Sequence, residues 1–78
     1  GKLNIRYHIN NVSDIYATIY DLSGKVIKSF ESEPKHPGQH QLIWDTKNNN
    51  GNAVATGLYF ISISSKNRTT NKKVLYLK

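Results

Sequence analysis

Apolar residues recur at every second position along most of this chain, and no window of helical length repeats them at three- and four-residue spacing. Leu3, Ile5, Tyr7 and Ile9 alternate with Lys2, Asn4, Arg6 and His8. Successive side chains of a strand point to opposite faces, so this period predicts a strand with one face buried and His8 in solvent. Ile15, Ala17 and Ile19 oppose Tyr16, Thr18 and Tyr20 in the same way. His40, Leu42 and Trp44 share one face of residues 39–45, and Tyr59, Ile61 and Ile63 one face of residues 57–64. Trp44 and Tyr59 are therefore core candidates. Residues 69–78 form a last strand, with Val74, Leu75, Tyr76 and Leu77 apolar on both faces.

Turn chemistry separates these runs. Asn10-Asn11 and Lys66-Asn67 reverse the chain, and Asp21-Leu22-Ser23-Gly24 predicts a hairpin joining residues 15–20 to 25–30. Pro34 and Pro37 each remove a backbone donor, so residues 31–38 form a loop or a sheet edge. Residues 47–52 hold no apolar side chain, and Asn50-Gly51 tolerates a positive φ. The expected fold is all-β: a small immunoglobulin-like antiparallel β-sandwich of six to seven strands.

At 78 residues the chain makes one domain, spanning residues 1–78. Without methionine at position 1 it reads as an excised piece of a longer chain. A core this small leaves no room for a deep substrate pocket as well. The lack of cysteine excludes disulfides and thiolate metal sites. No run approaches the roughly 18 apolar residues of a transmembrane helix.

Catalysis finds no footing. His36 and His40 are four apart, a metal-binding spacing on a helix, but Pro37 and Gly38 stand between them. No serine sits on a glycine-flanked nucleophile turn, and the few acids fall in turns and loops. Asp45-x-Lys47-x-Asn49 begins like an oxygen-ligand calcium loop, yet Lys47 stands where a donor is needed and no glutamate closes it. Asp and Asn side chains capping their own backbone explain that loop equally. The chain is expected to be neither an enzyme nor a cofactor protein.

The net charge of +6 is uneven: residues 1–45 hold five bases and five acids, residues 46–78 six bases and no acid. Such asymmetry fits a polyanionic partner or simple solubility. Nucleic acid is set aside, because no glycine-aromatic RNA-binding motif is present. Tyr16, Tyr20 and Phe60 are the candidate surface aromatics for a ligand such as a sugar ring. The sequons at Asn11 and Asn67 are expected by chance among nine asparagines.

One ordered set of motifs runs through the chain. Residues 19–26 read Ile-Tyr-Asp-Leu-Ser-Gly-Lys-Val; Trp44-Asp45, Asn50-Gly51, Val54 and Gly57-Leu58-Tyr59-Phe60 follow; residues 72–78 read Lys-Lys-Val-Leu-Tyr-Leu-Lys. Together they resemble the C-terminal sorting domain, type A, of type IX secretion cargo. The middle segment alone is also similar to the immunoglobulin-like domain of the flagellar hook-capping protein. The first resemblance implies a secretion signal that directs a cargo across the outer membrane, followed by cleavage or anchoring. Its partners would be the translocon and surface peptidase, with an anionic surface polysaccharide as a further one. The route would run through the periplasm to the cell surface or beyond. Recognition would fall on Gly57, Tyr59, Lys72, Lys73, Val74, Leu75 and Lys78, with the last strand offering an edge and a basic row. The alternatives are an accessory carbohydrate-binding or interaction module of a secreted enzyme, or a structural domain of the hook-capping kind.

Overall fold

The computed structural model of the chain describes residues 1–66 and 68–78. Its strands are β1 (Leu3–Ile9), β2 (Ser13–Tyr20), β3 (Val26–Lys35), β4 (Gly38–Trp44), β5 (Gly57–Ser64) and β6 (Thr69–Tyr76). They form two antiparallel sheets: β1 pairs with β4, and a four-stranded sheet runs β3-β2-β5-β6. The chain is thus the all-β, immunoglobulin-like sandwich that the alternation predicts, with six strands.

Register follows the alternation. Ile5, Tyr7 and Ile9 of β1 lie opposite Leu42, His40 and Gly38, and the first three are buried. Across the sandwich Ile15, Ala17 and Ile19 of β2 and Tyr59, Ile61 and Ile63 of β5 face them in one core with Trp44, Val54 and Tyr76. A slip of one residue would turn these side chains to solvent, which is why the register is unambiguous.

Trp44, Ile19 and Ile61 are the large side chains with no meaningful exposure. Burial of each stabilises the fold by about 1.5–3 kcal/mol. The Trp44 ring meets Tyr59 edge-on, 5.2 Å between centroids and 72° between planes, and lies 6.3 Å from Tyr76. Its indole Nε1 donates to the Lys47 carbonyl at 2.9 Å, so the buried polar atom is satisfied. The Tyr59 hydroxyl donates to the Ala55 carbonyl, and burial raises its pKa.

The segment left open between loop and edge resolves as edge. β3 continues through Pro34 to Lys35, with Pro34 opposite Asp14, leaving only His36 and Pro37 before β4. β3 ends the sheet, and an edge strand is where a proline is tolerated. β6 stops at Tyr76, two residues short of the expected strand end. The expected turn at Lys66-Asn67 includes Asn67, which lies outside the described residues.

One backbone feature escaped the sequence. Thr46 is β-branched and buried, yet sits at φ 60°. Such residues rarely occupy this region. Here the Thr46 hydroxyl bonds to the carbonyls of Asp45 (2.6 Å) and Gly1 (3.2 Å), and the Thr46 carbonyl accepts from Val54 (3.1 Å). These bonds fix the corner where the chain leaves β4.

Candidate interaction surfaces

The polar run after β4 is a self-capped turn. Asn48 Oδ1 accepts the amides of Asn50 (2.9 Å) and Asn52 (3.0 Å), and Asp45 Oδ1 accepts that of Lys47 (3.1 Å). Gly51 takes φ 82°, the left-handed position such a turn requires. Asn49 reaches sideways: its amide donates to the Ile27 carbonyl and its Oδ1 accepts the Ser29 amide, at 2.9 and 3.0 Å. The loop therefore covers part of the β3 edge. These oxygens spend their lone pairs on backbone donors. His36 and His40 meet differently from a metal pair, through His40 Nε2 and the His36 carbonyl at 2.6 Å, while the His40 ring lies 5.5 Å from Tyr7.

The β2–β3 turn is built on Asp21. One carboxylate oxygen accepts the Ser23 hydroxyl (2.6 Å), the Ser23 amide (2.9 Å) and the Lys25 amide (3.0 Å). The Ser23 hydroxyl, then the Lys25 amide, hold its pKa below the ordinary carboxylate range.

Two surfaces among the described residues are candidates for interaction. The first is the outer face of the four-stranded sheet. Directly paired residues share a face, so Val26, Tyr20, Phe60 and Lys73 make one row across four strands. Leu58 and Leu75 make the next row, with Leu75 56% exposed. Tyr16, 54% exposed, projects further along β2 opposite Ser64. The three candidate surface aromatics thus share one face, and Tyr20 and Phe60 are direct neighbours. The sequence did not reveal that Val26, Leu58 and Leu75 join them, because cross-strand register sets that grouping.

The second is a groove of about 500 Å³ at the opening between the sheets, near the β1–β2 and β5–β6 turns. Tyr7, Ile9, Ile15 and Ile63 supply apolar surface, and His8, Lys66, Arg68 and Lys72 line it too.

The residues expected to form a recognition strip do not converge. Tyr59 is buried in the core. Gly57 opens β5 at φ 159°, close to extended backbone. Lys72 and Val74 are half-buried toward the sandwich interior, whereas Lys73 and Leu75 are exposed on the outer face. Lys78 lies beyond β6, its amide donating to Thr56 Oγ1 at 3.1 Å. Lys72, Lys73 and Lys78 therefore make no single basic row.

Comparison with known proteins identifies the family. Residues 1–69 match the model of the FlgD Ig-like domain. Over 56 residues the chain is 36% identical to the basal-body rod modification protein FlgD of Salmonella typhimurium, and equally to that of Salmonella typhi. The match covers 72% of this chain and 24% of each relative, so the chain spans about a quarter of their length. A crystal structure of FlgD from P. aeruginosa superposes with a TM-score of 0.81 over 96% of this chain and 60% of that one, at 19% identity, and supports the fold. The chain belongs to the FlgD Ig-like domain family.

That membership corrects the first resemblance. The chain is not assigned to the type IX sorting domains, and the secretion-signal function falls with that assignment. So do the translocon, surface peptidase and surface polysaccharide as partners, and the route through the periplasm to the cell surface. The physical reason lies in what the shared motifs do: Trp44, Val54 and Tyr59 fill the core, and Asp21, Asp45 and Gly51 form turns. Those are folding roles and do not by themselves mark a secretion signal.

Proposed function

We propose that this chain is a non-catalytic structural module of a FlgD-type flagellar protein, packing against protein subunits of the hook and rod. The 36% identity to a basal-body rod modification protein, inside a family match over residues 1–69, carries the reading. The outer sheet face supports it: Tyr20, Phe60, Val26 and Leu75 offer an apolar, aromatic surface of the kind protein partners cover.

The test is a chimera. Residues 1–78 replace the matching segment of the Salmonella protein in a strain lacking it, and hook assembly and swimming are scored. Restored hooks are expected, and their loss when Phe60→Glu and Leu75→Glu are added without a change in chimera level. A stable chimera that never supports hook assembly refutes the proposal.

A further inference from the structure

The groove at the open side of the sandwich has a chemistry the flagellar reading leaves unused. At one end β1 and β6 are drawn together: Lys72 Nζ donates to the Arg6 carbonyl, and Gly1 lies against the Tyr76 ring. Toward the β1–β2 and β5–β6 turns they diverge, and the groove opens over Ile9, Ile15 and Ile63 of the core. β6 is the last strand of its sheet, so the edge turned away from β5 keeps backbone donors and acceptors free of ladder partners.

The charge is one-sided. His8, Lys66, Arg68 and Lys72 line the groove and no carboxylate does. Among the described residues the one ion pair is Lys35–Glu33, on β3 at the far edge of the sheet. An inward-turned lysine on an edge strand discourages pairing with an apolar or cationic strand. Lys72 holds that position. Its ammonium is taken up by the Arg6 carbonyl, so the cations the groove offers a neighbour are Lys66 and Arg68.

We infer that this groove binds an extended acidic peptide whose carboxylates alternate with small apolar side chains. The peptide adds to the free edge of β6 beside the β5–β6 connection, its apolar side chains over Ile9, Ile15 and Ile63, its carboxylates facing Lys66 and Arg68. A second copy of this chain fits poorly. Its one acidic edge, Glu31 and Glu33 of β3, runs into Pro34, and Glu33 is already paired with Lys35.

The experiment titrates the 78-residue chain with three blocked peptides, each fluorescently labelled: alternating Glu-Val, alternating Lys-Val, and alternating Glu-Ser. Anisotropy reads affinity and amide chemical shifts read the site. The Glu-Val peptide should bind saturably and weaken as salt is raised. Perturbed amides should cluster in residues 7–15 and 63–72. Lys-Val should not bind, and Glu-Ser should bind more weakly for lack of apolar contact. The double variant Lys66→Gln, Arg68→Gln, checked for an unchanged melting curve, should lose about tenfold in affinity or more. Four results overturn the inference: no saturable binding of Glu-Val, equal binding of Lys-Val, full affinity in the double variant, or shifts centred on Phe60. Self-association of the free chain that buries the groove overturns it as well.

Discussion

Replacing Trp44 with phenylalanine tests whether the core is organised around one aromatic corner. Phenylalanine keeps a ring against Tyr59 but loses two things. The first is the Nε1 hydrogen bond to the Lys47 carbonyl, worth about 1 kcal/mol net. The second is the volume of the larger ring at a position with 0% exposure, where transfer and cavity terms add about 1–2 kcal/mol. The expected loss is therefore about 2–3 kcal/mol. For 78 residues the unfolding entropy is about 0.16 kcal/mol per kelvin, so Tm should fall by about 12–19 °C. Trp44 is the sole tryptophan, so the variant is followed by far-UV circular dichroism in thermal and urea unfolding. The neighbouring Ile43→Thr, at a half-exposed position on the opposite face, is the control and should shift stability by less than about 0.5 kcal/mol. If Trp44→Phe costs no more than that control, with an unchanged urea slope, the corner is not the organising contact described here.

Two further predictions concern the turns. Asp21→Asn keeps an acceptor oxygen and removes the charge, so it isolates the depressed carboxylate pKa. The folded pKa lies below the unfolded one, so the charge stabilises above the unfolded pKa and its effect is lost as pH falls through the folded one. The wild type should thus melt higher than Asp21→Asn at neutral pH, and the gap should close below about pH 4; a gap independent of pH refutes the assignment. Asn49→Ala removes the acceptor of the Ser29 amide, so hydrogen exchange at Ser29 should speed up far more than at Ile61. Unchanged Ser29 protection would mean the loop does not cover the β3 edge.

Much of the fold was legible because burial on one face of a strand writes itself into the sequence with period two. Ile5, Tyr7 and Ile9, or Tyr59, Ile61 and Ile63, needed no structure to be placed inward. The turn at Asp21 was legible from Gly24, which takes φ 87°. Three features were not. Thr46 at φ 60° contradicts its own intrinsic preference and is held by contacts 45 residues away, at Gly1. The bonds of Asn49 to β3 likewise join residues 20 or more apart in sequence. The interaction surfaces depend on which strands become neighbours: Tyr20 meets Phe60 only because β5, and not β3 alone, flanks β2.

The same physics explains why these ordered motifs resemble two families, of which the match over residues 1–69 bears out the hook-capping one. This β-sandwich closes β4 with a large core side chain, turns sharply, and sets an inward aromatic near the start of β5. Trp44, the Asn48–Gly51 turn and Tyr59 meet those needs through burial, Asx caps and a positive φ. These residues serve folding here, so their order reports the architecture. What differs between families with a shared sandwich lies where folding leaves choice: on the outer sheet face and around the groove. Exchanging Phe60 or Arg68 should therefore change what the domain binds while leaving its melting temperature within a few degrees, since neither lies in the buried core. Exchanging Trp44 should do the reverse.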